Sequence, residues 1–162
     1  MIAGDTFRRT YTAGDPTQPD PDKSSWGGLG QTDQGTLAQR ALGFNCLNYN
    51  RAPEGTLYRH YMPEKSFLDG SCEEGLRIEL MFPSCWNGKD LSSSDFKSHM
   101  AYPDLVMNGN CPSGFETRLP SILYETIWDT YAFKNRNGRF VLSNGDTTGM
   151  KCASPPLEIT SC

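Results

Sequence analysis

Six cysteines are the feature that most constrains the fold of this 162-residue chain. They lie far apart, at positions 46, 72, 85, 111, 152 and 162. The chain contains no C-x-x-C pair, and its two histidines, His60 and His99, are not in zinc-finger spacing, so the sequence argues against a structural zinc site. An even number of scattered cysteines is typical of disulfides that form in an oxidising compartment.

The spacing of the cysteines predicts two of the disulfides. We predict Cys46–Cys72 and Cys85–Cys111, because each pair closes a loop of about 25 residues between candidate strands, which the chain-entropy account of disulfides favours. Cys152 and Cys162 are then left to pair with each other near the carboxyl end of the chain.

Composition excludes several classes of protein. The net charge of −4 and the sequence pI of about 5.1 argue against a nucleic-acid-binding protein, which needs a basic face. Mean hydropathy is −0.56 and no apolar run approaches roughly 18 residues, so no membrane span is predicted. The amino end lacks the apolar core of a signal peptide, so the chain is expected to be cytosolic or a mature or truncated piece of a longer protein. The cysteines favour the second reading, and we expect a secreted monomer without metal or cofactor.

Strand patterns dominate the chain. The clearest is GLRIELMF at 75–82, in which apolar and polar side chains alternate as in a half-buried strand. Further candidate strands are 6–12, 41–49, 121–129 and 139–143, whereas TLAQRAL at 36–42 predicts only one or two helical turns. Because no crossover helices are predicted, strands 75–82, 121–129 and 139–143 are expected to be antiparallel neighbours. The core-facing residues of this sheet are predicted to be Leu76, Ile78, Leu80, Tyr124 and Phe140.

These patterns together predict an all-β fold, an antiparallel β-sandwich or jelly-roll-like single domain with long loops and disulfides. The domain is expected to span residues 1–162. Residues 13–35 are rich in proline and glycine and predict an inserted mobile loop. Within it, Trp26 is either part of a disordered loop or an exposed aromatic ring that stacks on a sugar or a partner.

Titratable residues concentrate in SSSDFKSHMAYPD at 92–104. His99 is the natural acid or base there, since its unperturbed pKa lies near neutrality. Asp95 and Asp104 could orient its ring or act as carboxylate partners in glycoside hydrolysis, and Tyr102 could stack or donate a proton. The alternative is that His99 is only a hydrogen-bonded loop residue and that the aspartates cap turns.

Other candidate residues allow similar alternatives. Ser143-Asn144-Gly145-Asp146 reads as a tight hairpin more readily than as a metal loop. His60 is expected on a surface loop and Trp128 in the core. Trp86 is expected either to cover the core or to line a groove near His99.

Several strings resemble those of a known family. FPSCWNGKDL at 82–91 and SHMAYP at 98–103 resemble a fungal family of secreted proteins called domain of unknown function nineteen-ninety-six, and FNCLNY at 44–49 and RFVLSNGDTTG at 139–149 resemble further segments of it. The resemblance implies a cell-wall or polysaccharide setting, because these proteins often carry carbohydrate-binding WSC modules. This chain has Phe96 where the family has a histidine, and it departs from the family pattern after Gly149, which predicts a divergent tail over 150–162.

Two functions follow from the residues and the resemblance together. The first is a secreted, cell-wall-associated protein that binds a polysaccharide or oligosaccharide without cleaving it. The alternative is a carbohydrate-active enzyme, a glycoside hydrolase or polysaccharide lyase. The predicted catalytic residues are His99, Asp95, Tyr102 and Asp146, and the predicted ligand-binding residues are Lys89, Lys97, Trp86 and Asp104.

Overall fold

A computed structural model of the protein describes residues 20–141, 151–154 and 158–161. The helices in these ranges are α1 (Gln34–Arg40) and α2 (Lys65–Ser71), and the strands are β1 (Leu42–Leu47), β2 (Gly75–Met81), β3 (Cys85–Trp86), β4 (Met100–Ala101), β5 (Thr117–Arg118), β6 (Leu123–Trp128), β7 (Lys151–Ser154) and β8 (Glu158–Ser161). The described part is mostly β, with two three-stranded antiparallel sheets and the β7–β8 hairpin. No helix among these residues is long and apolar enough to cross a membrane.

The larger sheet has the strand order β1-β2-β6 and is antiparallel throughout. The predicted strands 41–49, 75–82 and 121–129 are therefore confirmed, as is the antiparallel pairing of the last two. The predicted strand at 139–143 is wrong for residues 139–141, which form no regular structure, and its remaining residues lie outside the described part. The predicted strand at 6–12 also lies outside it.

Both faces of β2 are buried, although its sequence alternates. On one face Leu76 packs with Leu42 and Phe44 of β1 and with Leu68 of α2. On the other face Glu79 is fully buried, whereas the alternation predicts a polar, exposed side. Its carboxylate accepts a hydrogen bond from the backbone N–H of Leu57 at 2.6 Å, since the segment before His60 folds over that face.

Among the described residues, strand β6 is one of the two edge strands of the larger sheet, and it is mostly exposed. Tyr124 is 60% exposed and Trp128 is 55% exposed, so the predictions that Tyr124 faces the core and that Trp128 packs in it are wrong. The alternation along β6 has the expected period, but the sequence does not reveal that β6 is an edge strand among the residues that the structure describes. Ile78, Leu80 and Phe140 do pack against the core, as predicted.

The smaller sheet has the order β4-β3-β5, with Cys85 opposite Ala101 and Arg118. The disulfide Cys85–Cys111 ties its central strand to the loop after β4, with the two Cα atoms 5.6 Å apart. The disulfide Cys46–Cys72 joins the end of β1 to the end of α2, with a Cα separation of 5.1 Å. Both predicted disulfides are confirmed. The predicted Cys152–Cys162 pair includes Cys162, which lies outside the described residues.

Trp26 is buried in a second core cluster, at 3% exposure. The buried residues of this cluster are Trp26, Leu37, Ala41, Leu57, Met81, Tyr102 and Val106. Its indole N–H donates to the Pro21 carbonyl at 3.0 Å, and the Arg40 guanidinium lies 3.8 Å from the centre of its ring. The prediction that Trp26 is an exposed ring for stacking on a sugar is therefore wrong. Residues 13–19 of the predicted mobile loop lie outside the described part.

The helices are short, and only one of them was predicted. The helical turns expected at 36–42 correspond to α1, whose N-cap Asp33 accepts a hydrogen bond from the Thr36 N–H at 3.0 Å. Helix α2 was not predicted, because it has a single fully buried residue, Leu68, and therefore no apolar stripe that a sequence pattern could show.

Candidate functional site

Residues 87–99, the β3–β4 loop, connect two paired strands of the smaller sheet and contain four of the eight predicted site residues. Trp86 lies opposite Met100 in the pairing of β3 with β4. The first and last residues of the loop stay together, because the Asn87 N–H donates to the His99 carbonyl at 3.2 Å. The loop is therefore a long hairpin connection, and its two halves project from the same end of the sheet.

The first half is a turn organised by Asn87. Its side-chain oxygen accepts hydrogen bonds from the backbone N–H groups of Lys89 and Asp90, at 3.2 and 3.0 Å. Its side-chain N–H donates to the Asp90 carboxylate at 2.7 Å, and Gly88 supplies the positive φ of 78° that the turn requires. The indole of Trp86 donates to the Asp90 carbonyl at 2.7 Å, which fixes the tryptophan at the base of the loop.

The second half is organised by Asp95. One carboxylate oxygen accepts hydrogen bonds from the Ser98 N–H at 2.9 Å, the Ser93 hydroxyl at 2.7 Å and the Lys97 N–H at 3.1 Å. These bonds, the one from Ser98 first, hold the pKa of Asp95 well below its ordinary range. The carboxylate is therefore ionised at any physiological pH, and its role is to shape the loop.

His99 contacts the same serine. Its Nδ1 lies 2.9 Å from the Ser93 hydroxyl, which already donates its single proton to Asp95. A hydroxyl has only one proton to give, so Nδ1 of His99 must donate to Ser93. In the neutral imidazole this tautomer leaves Nε2 as a hydrogen-bond acceptor for a ligand or for water.

Two apolar side chains of the loop lie in solvent. Phe96 is 81% exposed and Leu91 is 92% exposed. Phe96 also has a φ of 57°, in the left-handed region that costs a non-glycine residue roughly 1–2 kcal/mol. The chain thus keeps a strained backbone and an exposed ring at the same position, which is typical of a functional loop.

The other predicted site residues lie elsewhere. Tyr102 is buried in the second core cluster, where its hydroxyl donates to the Met81 carbonyl at 2.8 Å and burial raises its pKa well above the ordinary value. Asp104 accepts a hydrogen bond from the Asn110 N–H at 2.8 Å and closes a separate turn. Asp146 lies outside the described residues. The structure thus places Trp86, Lys89, Asp95, Lys97 and His99 on or beside one loop, without Tyr102 and Asp104.

Sequence reasoning missed the contribution of Phe96, Leu91 and Ser93. Ser93 lies in a run of three serines, and no local pattern indicates which of the three hydroxyl groups contacts His99. For Phe96, the departure from the family's histidine was noted, but the positive φ of its backbone has no sequence signal in a residue other than glycine.

His60 belongs to a different cluster. It was expected on the surface but is buried, with Nδ1 2.6 Å from the Leu42 carbonyl and Nε2 2.8 Å from the Asp20 carboxylate. Arg40 lies 3.4 Å from the same carboxylate. Burial alone would raise the pKa of Asp20, but the hydrogen bonds and charges of His60 and Arg40 outweigh it and lower that pKa. Through His60, the cluster links Asp20, in the segment before α1, to strand β1 of the larger sheet.

Comparisons with known proteins give one match. A family model described as "Domain of unknown function (DUF1996)" matches residues 1–153. A search of curated proteins and a search of solved structures each find no match. Among the described residues, no group of histidine, cysteine, aspartate and glutamate side chains could hold a metal ion.

Proposed function

Since this chain belongs to the DUF1996 family, a domain of unknown function, we propose a function from the geometry of its β3–β4 loop. The protein is a secreted, fungal, cell-wall-associated protein that binds polysaccharide through this loop and does not cleave it. The two disulfides support the extracellular location, because such bonds persist in oxidising compartments. We further propose that the two three-stranded sheets form the layers of a sandwich or jelly roll.

The observation that carries the proposal is the exposed ring of Phe96 on a loop anchored by Trp86. Sugar rings present apolar C–H faces, and aromatic rings accept them as they accept other apolar surface. A loop that served only to connect β3 and β4 would gain stability by turning such a ring inward and by placing glycine at the positive φ. The exposed ring of Phe96 is therefore best explained by a ligand.

Polar groups of the same loop complement the ring. Nε2 of His99, an acceptor in the neutral imidazole, suits a sugar hydroxyl. Lys89 and Lys97 are exposed on the loop and carry positive charge, which suits the carboxylates or sulfates of an acidic polysaccharide. Aromatic and hydrogen-bonding groups side by side are what a carbohydrate surface needs, since each sugar has both an apolar face and a hydroxyl edge.

Binding is favoured over catalysis because the two predicted catalytic partners of His99 that the structure describes, Asp95 and Tyr102, have other roles. The carboxylate of Asp95 is held by three hydrogen bonds within the loop, and the hydroxyl of Tyr102 is buried and donates to a backbone carbonyl. Glycoside hydrolysis requires two carboxyl groups that face the scissile bond. The contact between Ser93 and His99 nevertheless makes a hydrolase or lyase the alternative.

Co-sedimentation with insoluble polysaccharides tests the proposal. β-Glucan, chitin and an insoluble acidic polysaccharide are incubated with the wild-type protein and with the double variant Phe96→Ala/Trp86→Ala. Tyr49→Ala is the matched control, because it removes an exposed aromatic ring from another turn. We expect wild type and Tyr49→Ala to sediment with at least one polysaccharide and the double variant to remain in solution.

Two results would contradict the proposal. Equal sedimentation of the double variant and wild type would remove the β3–β4 loop from the binding surface. Release of soluble oligosaccharides by wild type, abolished by His99→Ala, would establish the enzyme alternative instead. The melting temperature of each variant is measured alongside, so that loss of binding is separated from loss of folding.

A further inference from the structure

Strand β6 presents two aromatic rings to solvent on one face of the larger sheet. Tyr124 and Trp128 lie on the same face because they are four residues apart in a strand, and Thr126 lies between them. Their Cα atoms are about 13 Å apart along the strand at ~3.3 Å per residue. We call Tyr124, Thr126 and Trp128 the β6 strip.

The strip continues the apolar surface of the core and is not covered by the part of the chain that the structure describes. In the pairing of β2 with β6, Leu76 lies opposite Trp128 and Leu80 lies opposite Tyr124. The β2 residues pack against the core, whereas the two rings opposite them are more than half exposed. A long exposed apolar strip of this kind marks a site of interaction.

The tryptophan ring is held in place along the strand. The indole N–H of Trp128 donates to the Thr126 hydroxyl at 2.9 Å. This bond draws the indole back along β6 toward Tyr124 and limits its rotation, so less side-chain entropy is lost when a ligand packs against it.

The chemistry of the strip fits an uncharged ligand. None of its three side chains is charged at neutral pH, and each combines apolar surface with a hydroxyl or an N–H group. The charged residue of the strand, Glu125, lies on the opposite face, where Arg77 is 3.3 Å from its carboxylate. An anionic partner would find no opposite charge in the strip itself.

We propose that the β6 strip is a second carbohydrate site, which takes an extended, uncharged polysaccharide chain laid along the strand. The rings of Tyr124 and Trp128 would stack on two sugars of one chain, and the Thr126 and Tyr124 hydroxyls would contact sugar hydroxyls between and beside them. The proposal takes its ligand class from the proposed function but uses a different surface. Since two rings about 13 Å apart must be covered together, a long oligosaccharide is required.

Calorimetric titration of the full chain with soluble β-glucan and chitin oligosaccharides, from dimer to hexamer, tests the proposal. The variant Tyr124→Ala/Trp128→Ala is compared with Ile127→Ala, which removes an exposed apolar side chain from the opposite face of the same strand. We expect wild type and Ile127→Ala to bind one of the hexamers at least about tenfold more tightly than the dimer, and the double variant to lose that difference.

Each other outcome overturns the proposal. Hexamer affinity that is equal in the double variant and in wild type removes the strip from the site, as does affinity independent of chain length. A concentration-dependent dimer in sedimentation velocity that the double variant abolishes assigns the strip to a second copy. The loop variant Phe96→Ala/Trp86→Ala separates the two sites. It should keep the hexamer preference, because its β6 strip is intact, and loss of the preference in this variant would assign it to the β3–β4 loop instead. Failure of the loop assignment itself is read from co-sedimentation, in which this variant would then sediment like wild type.

Discussion

At the scale of single residues, Phe96 and Gly43 show two opposite uses of the backbone. Phe96 has a side chain where the positive φ favours glycine, and Gly43 has no side chain where the strand would favour one. The reason at Gly43 is space: a Cβ there would collide with the buried carboxylate of Glu79. Phe96 is explained by the aromatic ring that it presents to solvent, and Gly43 by the space that it leaves for the Glu79 carboxylate.

Replacing Phe96 tests whether its conformation is kept for the ring. We expect the free energy of unfolding of Phe96→Gly to exceed that of Phe96→Ala by about 1 kcal/mol, because glycine adopts a positive φ without steric cost. Both variants should lose polysaccharide binding. Urea unfolding measures the difference, and an alanine variant at least as stable as the glycine variant would show that this backbone is not strained.

Replacing Gly43 tests the tight packing over Glu79. Gly43→Ala is expected to lower the free energy of unfolding by about 1–3 kcal/mol, the usual cost of inserting a methyl group into a packed core. Gly70→Ala is the control, since a Cβ in the last turn of α2 meets no neighbour and should leave stability unchanged or raise it by up to about 1 kcal/mol. The account of Glu79 fails if Gly43→Ala unfolds at the same urea concentration as wild type.

At the scale of elements, the segment from Asp20 to α1 is docked by two kinds of contact. The Trp26 ring packs against the guanidinium of the buried Arg40, and the Asp20 carboxylate contacts the His60 ring. Residues 20–33 therefore contribute to the core although their composition is that of a loop. We expect this segment to resist proteolysis, in contrast to the mobility that its prolines and glycines predict.

Trp26→Ala tests this docking. The variant is expected to lose about 3–5 kcal/mol of stability, because it leaves a large cavity in the second core cluster. Leu29→Ala, three residues away and exposed, should change stability by less than about 0.5 kcal/mol. If both variants unfold like wild type and a non-specific protease cuts first within residues 20–33, the segment is mobile and the docking is wrong.

Asp20→Asn tests the ion cluster through pH. A carboxylate whose pKa is lowered by folding stabilises the fold above its unfolded pKa, and that contribution is lost as the pH falls through the folded pKa. Wild type should therefore be more stable than Asp20→Asn near neutrality, and the difference should shrink once the pH falls below the ordinary value of 3.8. Asp22→Asn, at a neighbouring exposed aspartate, should show no such difference. A difference between wild type and Asp20→Asn that is the same at all pH values would contradict the cluster.

At the scale of the whole molecule, local patterns predicted more than long-range contacts did. Strand β2 and the disulfide Cys46–Cys72 could be predicted, since alternation and loop length are properties of a short stretch of sequence. The contact of Trp26 with Arg40 could not be predicted, because no local sequence pattern indicates that these two residues pack against each other. Within the site, the clustering around His99 was visible in the sequence, but the burial of Tyr102 was not. That burial depends on where the chain after β4 meets β2.

The central claim is that the β3–β4 loop binds polysaccharide, and the most direct measurement is an NMR titration. The ¹⁵N-labelled protein is titrated with soluble hexasaccharides of β-glucan and chitin and with acidic oligosaccharides. We predict that at least one of them shifts the amide resonances of residues 86–99 and the indole resonance of Trp86. If every oligosaccharide leaves these resonances unchanged, the loop does not bind carbohydrate and the claim is wrong.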